Sequence, residues 1–246
     1  MKRLMGLMGI GMMVAGVSLA AGRGTGGGDP GRAIMDHFSA ILKSQSFSAT
    51  MVFSGSSVRQ KTPMAPMEGK FQVLQGMVRM EIDMTKAMAA APGRGAEGMA
   101  GRGKMIVISR PDKKVSYLIM PGLQAYCEMA FPKEAAEQAA ESAKIDRTAE
   151  GSETLEGYAC EKFLNTVTAK DGKTAVIHTW EAKDLGGMPI KMTGKNDDGE
   201  ATLSFKDIKT GKPDASLFEP PADYQKYDSP QAMMMSGVMK MMKMRE

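Results

Sequence analysis

VRMEIDM, residues 78–84, is the stretch from which the fold is read. Successive side chains of an extended chain point to opposite faces. Val78, Met80, Ile82 and Met84 therefore share one side, and Arg79, Glu81 and Asp83 the other. One greasy and one wet face marks an antiparallel strand whose sheet packs a core on a single side. Working outward, FSATMVFSG (47–55) and EGKFQVLQG (68–76) are strand-like. KMIVISR (104–110) and KVSYLIM (114–120) flank the turn pair Pro111-Asp112 and predict a hairpin. Strands follow at YACEKFLNTVTA (158–169), KTAVIHTWEA (173–182), PIKMTG (189–194) and EATLSFKDI (200–208). Asp171-Gly172, Gly186-Gly187 and Asp198-Gly199 supply the turns. Short strands in series, with no βαβ rhythm, imply a mainly β chain. The expected architecture is one curved antiparallel sheet, or half-open β-barrel, covered by a few helices.

Three segments depart from the period of two. RAIMDHFSAILKSQ (32–45) sets Ile34, Phe38, Ile41 and Leu42 at helical spacing. PKEAAEQAAESAK (132–144) opens with Pro and is rich in Ala and Glu, which predicts a helix that buries little. TKAMAAAPGRGAEGMAGRG (85–103) has no usable period and reads as a flexible insertion.

The first twenty residues have a basic start (Lys2, Arg3), an uncharged apolar run, and Ser18 and Ala20 before a cut, the layout of a secretory signal peptide. The run of about sixteen residues is short of the roughly 20 a membrane span needs. The expected organisation is a signal peptide (1–20), a Gly-rich leader (21–31), one β domain (32–228) and a Met-rich tail (229–246). The protein is expected to be exported to the periplasm, with no membrane span after cleavage.

Export sets the reading of charge and cysteines. The formal net charge is +4. The signal holds two bases and no acids, so +4 − 2 leaves +2, and no long basic run exists to hold nucleic acid. Gly-Arg-Gly triplets at 22–24, 93–95 and 101–103 sit in Gly/Ala-rich segments and read as linker. In an oxidising compartment the isolated pair Cys127 and Cys160 reads as a disulfide, with two buried free thiols as the alternative. A bridge would close a loop of about thirty residues around the Ala-rich helix, worth roughly 3–4 kcal/mol on the chain-entropy model.

Catalytic chemistry is hard to find. The mature chain has only His37, beside the first helix's apolar stripe, and His178, inside a strand. G-x-S-x-G, H-E-x-x-H and paired Cys-x-x-Cys are all missing. GRGTGG (22–27) follows no strand, which empties its likeness to a nucleotide loop. The chain reads as non-enzymatic and without a cofactor.

The tail MMMSGVMKMMKMRE (233–246) has three readings. On a helical projection Met234, Met235, Val238, Met239, Met241 and Met242 fill one arc, and Ser236, Lys240 and Lys243 the other. That makes an amphipathic packing helix sufficient. Methionine also suits a movable apolar lid. Thioethers bind Cu(I), and Met239, Met241, Met242 and Met244 are close enough in sequence to converge on it. Against copper, the chain holds 26 methionines, so the tail is only partly special.

MIVISRPDKKVSYLIMPGLQAYCEM, ETLEGYACEKF, HTWEAKDLGGMPIKM and DASLFEPPADYQKYD together resemble an exported bacterial family of unknown function, related in fold to the LolA/LolB lipoprotein carriers. The resemblance spans residues 45–228. It implies a half-open barrel whose concave apolar face is closed by helices and can hold acyl chains. No functional residue of the LolA proteins maps onto this sequence. The alternation itself proposes the lining: Met51, Phe53, Phe71, Val73, Met80, Ile82, Tyr117, Ile119, Leu203 and Phe205. An ordinary filled core would use the same residues. The expected function is binding of a lipid or other apolar small molecule, with envelope proteins as further partners. Copper handling by the Met tail and a structural or stress-response envelope role are the alternatives. Oligomeric state stays open.

Overall fold

A computed structural model describes residues 41–57, 63–83, 103–130, 143–169, 174–196 and 199–243. The signal peptide, the leader, His37, residues 85–102 of the insertion and residues 132–142 of the Ala-rich segment lie outside the described residues.

The chain forms β1 (Ser46–Ser57), β2 (Pro63–Leu74), β3 (Met77–Asp83), β4 (Lys104–Arg110), β5 (Val115–Met120) and β6 (Ala125–Ala130). It continues with β7 (Ala143–Leu155), β8 (Tyr158–Ala169), β9 (Thr174–Ala182), β10 (Met188–Asn196), β11 (Gly199–Thr210) and β12 (Gln225–Tyr227), and ends in helix α1 (Pro230–Lys243). All twelve strands join one curved, open sheet in the order β12-β6-β5-β4-β3-β2-β1-β11-β10-β9-β8-β7. The mainly β antiparallel architecture is as expected, and among the described strands only the short β12 pairs in parallel, with β6. Two meanders, β1–β6 and β7–β11, are joined because β1 pairs with both β2 and β11.

Turn chemistry follows the sequence. The β4–β5 hairpin turns at Pro111-Asp112 through hydrogen bonds from Lys113 N to Arg110 O (3.1 Å) and Lys114 N to Pro111 O (3.2 Å). Between β7 and β8, Glu156 and Gly157 both have positive φ (50° and 83°), the backbone twist that tight hairpins favour. Packing between strands is close at Gly69 of β2, where an added Cβ would sit 2.5 Å from Glu81 O.

One boundary departs from expectation, and the strand that begins there was not foreseen. The segment expected to be helical through residue 144 is strand from Ala143, and β7 runs on to Leu155. β7 ends the sheet and is exposed along most of its length, so neither face needs apolar residues. Its sequence, AKIDRTAEGSETL, therefore lacks the alternation from which the other strands were read.

The sheet has two cores. The main one gathers Phe47, Met51, Phe71, Val73, Met80, Val107, Leu118, Leu203 and Phe205 on one face. Phe71 packs between Phe47 and Phe205, with ring centroids 6.0 and 5.0 Å away. The second, smaller core lies on the reverse of β4 and β5 and contains Ile106, Ile108, Tyr117, Ile119, Leu74 and Phe218. It is covered by the 3-10 turn Ala215–Phe218, from the LFEPPADY stretch. Asp214 opens that turn by accepting from Ser216 N at 2.9 Å. Arg79 Nη1 donates to Leu217 O at 3.1 Å.

Candidate functional site

Most of the proposed lining residues come together. Met51, Phe53, Phe71, Val73, Met80, Leu203 and Phe205 are buried, and Ile82 is partly buried against the main core. Cross-strand register carries them along one face: Phe53 lies opposite Leu203, Met51 opposite Phe205, and Phe71 opposite Met80. Tyr117 and Ile119 do not belong with them. They sit in the second core, and Leu118, opposite Val107 and Cys127, is the residue of β5 on the main face. β4 and β5 are apolar on both sides because each side is covered, so alternation there does not say which side is which.

Two elements close the main face. At one end the helical turn containing Ile41 and Leu42 packs on the core. Gln45 Nε2 donates to Leu185 O at 3.4 Å, and Gln45 O accepts from Gln75 N at 3.0 Å. At the other, α1 lies against β6 and β12. Its start is set by Ser229, whose Oγ accepts from Ala232 N and whose carbonyl accepts from Met233 N, both at 3.1 Å. Pro230 fills the first helical position, where the missing N–H costs nothing.

The helix is rotated from the expected phase. Met233 is fully buried in the main core, whereas Met234 and Met235 are 53% and 63% exposed. Gly237, one turn on, faces Leu123: an added Cβ would lie 2.9 Å from Leu123 Cδ2. Three consecutive methionines face three different directions, so the projection does not say which of them docks, and the docking contact decides the phase. The side chains of Met239, Met241 and Met242, and the whole of Met244, lie outside the described residues, as does the copper reading built on them.

The expected Cys127–Cys160 bridge is not formed. Both thiols are free and buried. They sit on β6 and β8, each next to an opposite edge of the twelve-stranded sheet. Burial pushes both thiols up.

Sequence reasoning missed a polar chain around β9. Arg147 donates to Glu181 at 2.5 Å, Thr179 Oγ1 to the other oxygen of Glu181 at 2.8 Å, and Asn165 Nδ2 to Thr179 Oγ1 at 3.1 Å. Asn165 Nδ2 also donates to Ile177 O at 3.2 Å. The Arg147 guanidinium lies 3.5 Å from the Phe163 ring centroid. Thr179 and Glu181 alternate with Trp180 and Ala182, a legible period, but a run buried on every residue hides which partners are polar.

Trp180 is where β8, β9 and β10 meet. Lys162 and Lys191 are its direct cross-strand neighbours, with ammonium nitrogens 5.3 and 4.7 Å from the indole. Both ammonium groups lie over the ring, and its Nε1–H is buried with no hydrogen-bond partner among the described residues. His178 Nδ1 lies 2.9 Å from Glu150, which also takes Lys162 at 3.0 Å. Hydrogen bonds from Lys162 and then His178 hold the Glu150 carboxyl below its usual range. Among the described residues, no three His, Cys, Asp or Glu side chains gather as a metal site would require.

The signature stretches thus build turns and a sheet surface, and a family model covers them at residues 60–188 and 167–224. The chain belongs to the domain of unknown function family DUF4412. No curated protein matches the chain. Solved structures similar to this DUF4412 protein include the Mycobacterium tuberculosis lipoprotein LppX, at 9% identity and TM-score 0.42, covering 75% of this chain and 98% of LppX. LprF from Mycobacterium bovis is 14% identical with TM-score 0.41, covering 81% of this chain and 100% of LprF. A LolA superfamily protein from Nitrosomonas europaea is 9% identical with TM-score 0.32, covering 75% and 96%. Among the described residues of the DUF4412 chain, no helix is long and apolar enough to cross a membrane.

Proposed function

We propose that this DUF4412 protein is an exported envelope protein that binds a lipid or other apolar ligand on the main face of its sheet, with α1 as the lid. The observation that carries this reading is the seating of α1. A face lined by Phe71, Val73, Met80 and Phe205 is closed at the β6 side by a helix whose deepest described side chain is one methionine. Met233 is buried in the main core, so a ligand enters by taking the place of Met233 and its neighbours. Methionine suits that exchange because it is unbranched and polarisable, and repacks against a changing apolar surface at little cost. The sheet remains open at its β12 and β7 edges, which leaves it free to flex as the helix lifts.

Native mass spectrometry of freshly purified protein, followed by organic extraction, tests the reading. The expected result is co-purifying lipid in wild type. Deleting residues 230–246 is expected to change its occupancy by more than threefold. An empty protein that takes up no fatty acid or phospholipid on titration would refute it.

A further inference from the structure

The three consecutive methionines of α1 stand in opposed environments. Met233 is fully buried in the main core, while Met234 and Met235 are among the most exposed large apolar side chains described. Ahead of Met233, Pro230 is half-buried and Gln231 and Ala232 are exposed. After it, Gly237 adds close contact with Leu123 but no side chain. Among the described side chains of the helix, one thioether is fully buried in an apolar site, and two more stand in solvent beside it.

We infer that Met233 is an oxidation-controlled latch: its sulfoxide holds the α1 lid open, and Met234 and Met235 are the neighbouring thioethers that peroxide reaches first. The inference rests on the lid reading above. The oxidant is a peroxide. A lone pair of the thioether sulfur attacks one peroxide oxygen, an S–O bond forms, and the O–O bond breaks. After proton transfer the second oxygen leaves as water. Sulfur loses two electrons and hydrogen peroxide gains them.

The environments then fix the consequence. At Met234 and Met235 the new sulfinyl oxygen points into water and changes little. At Met233 the same oxygen returns to a site walled by apolar side chains, where an acceptor left without a donor is strongly disfavoured. The buried sulfur is shielded while the helix is docked, so it reacts only when the helix is up. Oxidation therefore traps the open form, and enzymatic reduction of the sulfoxide restores closure.

The test uses the full chain without ligand. Peptide mass spectrometry follows each methionine during hydrogen peroxide treatment, and hydrogen exchange follows the α1 amides. Met234 and Met235 are expected to oxidise first, with exchange unchanged. Exchange of α1 should then rise about tenfold or more as Met233 converts, the size expected for a buried unsatisfied acceptor. Methionine sulfoxide reductases A and B should reverse it. M233L, which conserves volume and cannot be oxidised, should stay closed under peroxide, and M234L/M235L should still open. M233Q, a polar mimic, should be open without peroxide. Unchanged exchange after full Met233 oxidation, a closed M233Q, or an M233L lid that opens like wild type would each overturn the latch. Lid opening is read without lipid, so a latch that works in a protein that binds no lipid would sink the ligand reading alone.

Discussion

Arg110 Nη1 donates to the backbone carbonyl of Phe218 at 3.2 Å, so a strand guanidinium holds the residue that plugs the second core. The same side chain grips Asp112 through Nε at 2.9 Å and Nη2 at 2.7 Å, and also bonds Glu219. Lys113 Nζ reaches Glu219 at 2.6 Å. This cluster straps the LFEPPADY stretch to the β4–β5 hairpin. Arg110→Ala is expected to cost about 2 kcal/mol, the range for charge-assisted bonds, reduced because Asp112 and Glu219 are partly in solvent. R110K keeps the charge but not the fork, and should recover less than half. Urea unfolding of the three proteins checks it.

The strap also gives stability a pH dependence of known sign. Arg110's hydrogen bond, more than its charge, holds Asp112 below the usual carboxylate range. Burial works against ionisation of Glu219, but bonds from Lys113 and Arg110 outweigh it and lower its pKa as well. Folded-state values below the unfolded ones mean a contribution that is complete above about pH 5 and lost as pH falls through the folded values. Wild type should therefore lose more stability than Arg110→Ala between about pH 5 and pH 2. Parallel curves for the two proteins would contradict this.

The two cores lie on opposite faces, and Phe71 and Phe218 belong to different ones. Each Phe→Ala substitution should cost about 3–5 kcal/mol through lost burial and a residual cavity. Because they share no packing partner, the double variant should equal the sum within about 0.5 kcal/mol. Denaturant titration of the double-mutant cycle measures the coupling, and a larger value would mean that the faces communicate through the sheet.

Both cysteines are expected to react slowly with a disulfide reagent in the native protein, because burial removes access and raises the thiol pKa. In urea both should react at once, with no prior reductant. Intact mass should show two free thiols. A two-dalton deficit that reduction removes would restore the bridge.

Strands were legible wherever burial is one-sided. The alternation of β3 and the turn pair at Pro111-Asp112 placed β1, β3, β4 and β5 to within two residues, whereas β2 begins five residues earlier than read and β6 was not read as a strand. Legibility failed at both extremes. β7 is exposed along most of its length, and with only Ile145 and Leu155 packed on the main core it carries no alternating pattern. β5 is apolar on both sides, which put Tyr117 and Ile119 on the wrong face. α1 was legible as a helix, but its rotation is set by where Met233 docks, a tertiary fact. The Arg147–Glu181–Thr179–Asn165 chain was invisible because its members, brought from three strands, are neighbours only across the sheet.

The position of β1 at the seam of the two meanders bears on how the chain is made. Its two edges are satisfied at very different times. β2 follows it directly, but Thr50 meets Asp207 of β11, 157 positions further along the chain. Pairing of such distant strands is slow, because a long loop must close before any contact rewards it. Until then the first meander waits with an apolar face and an unpaired rim, the surface a holding chaperone would recognise. Of the described strands, the first is the one that waits longest for its second neighbour.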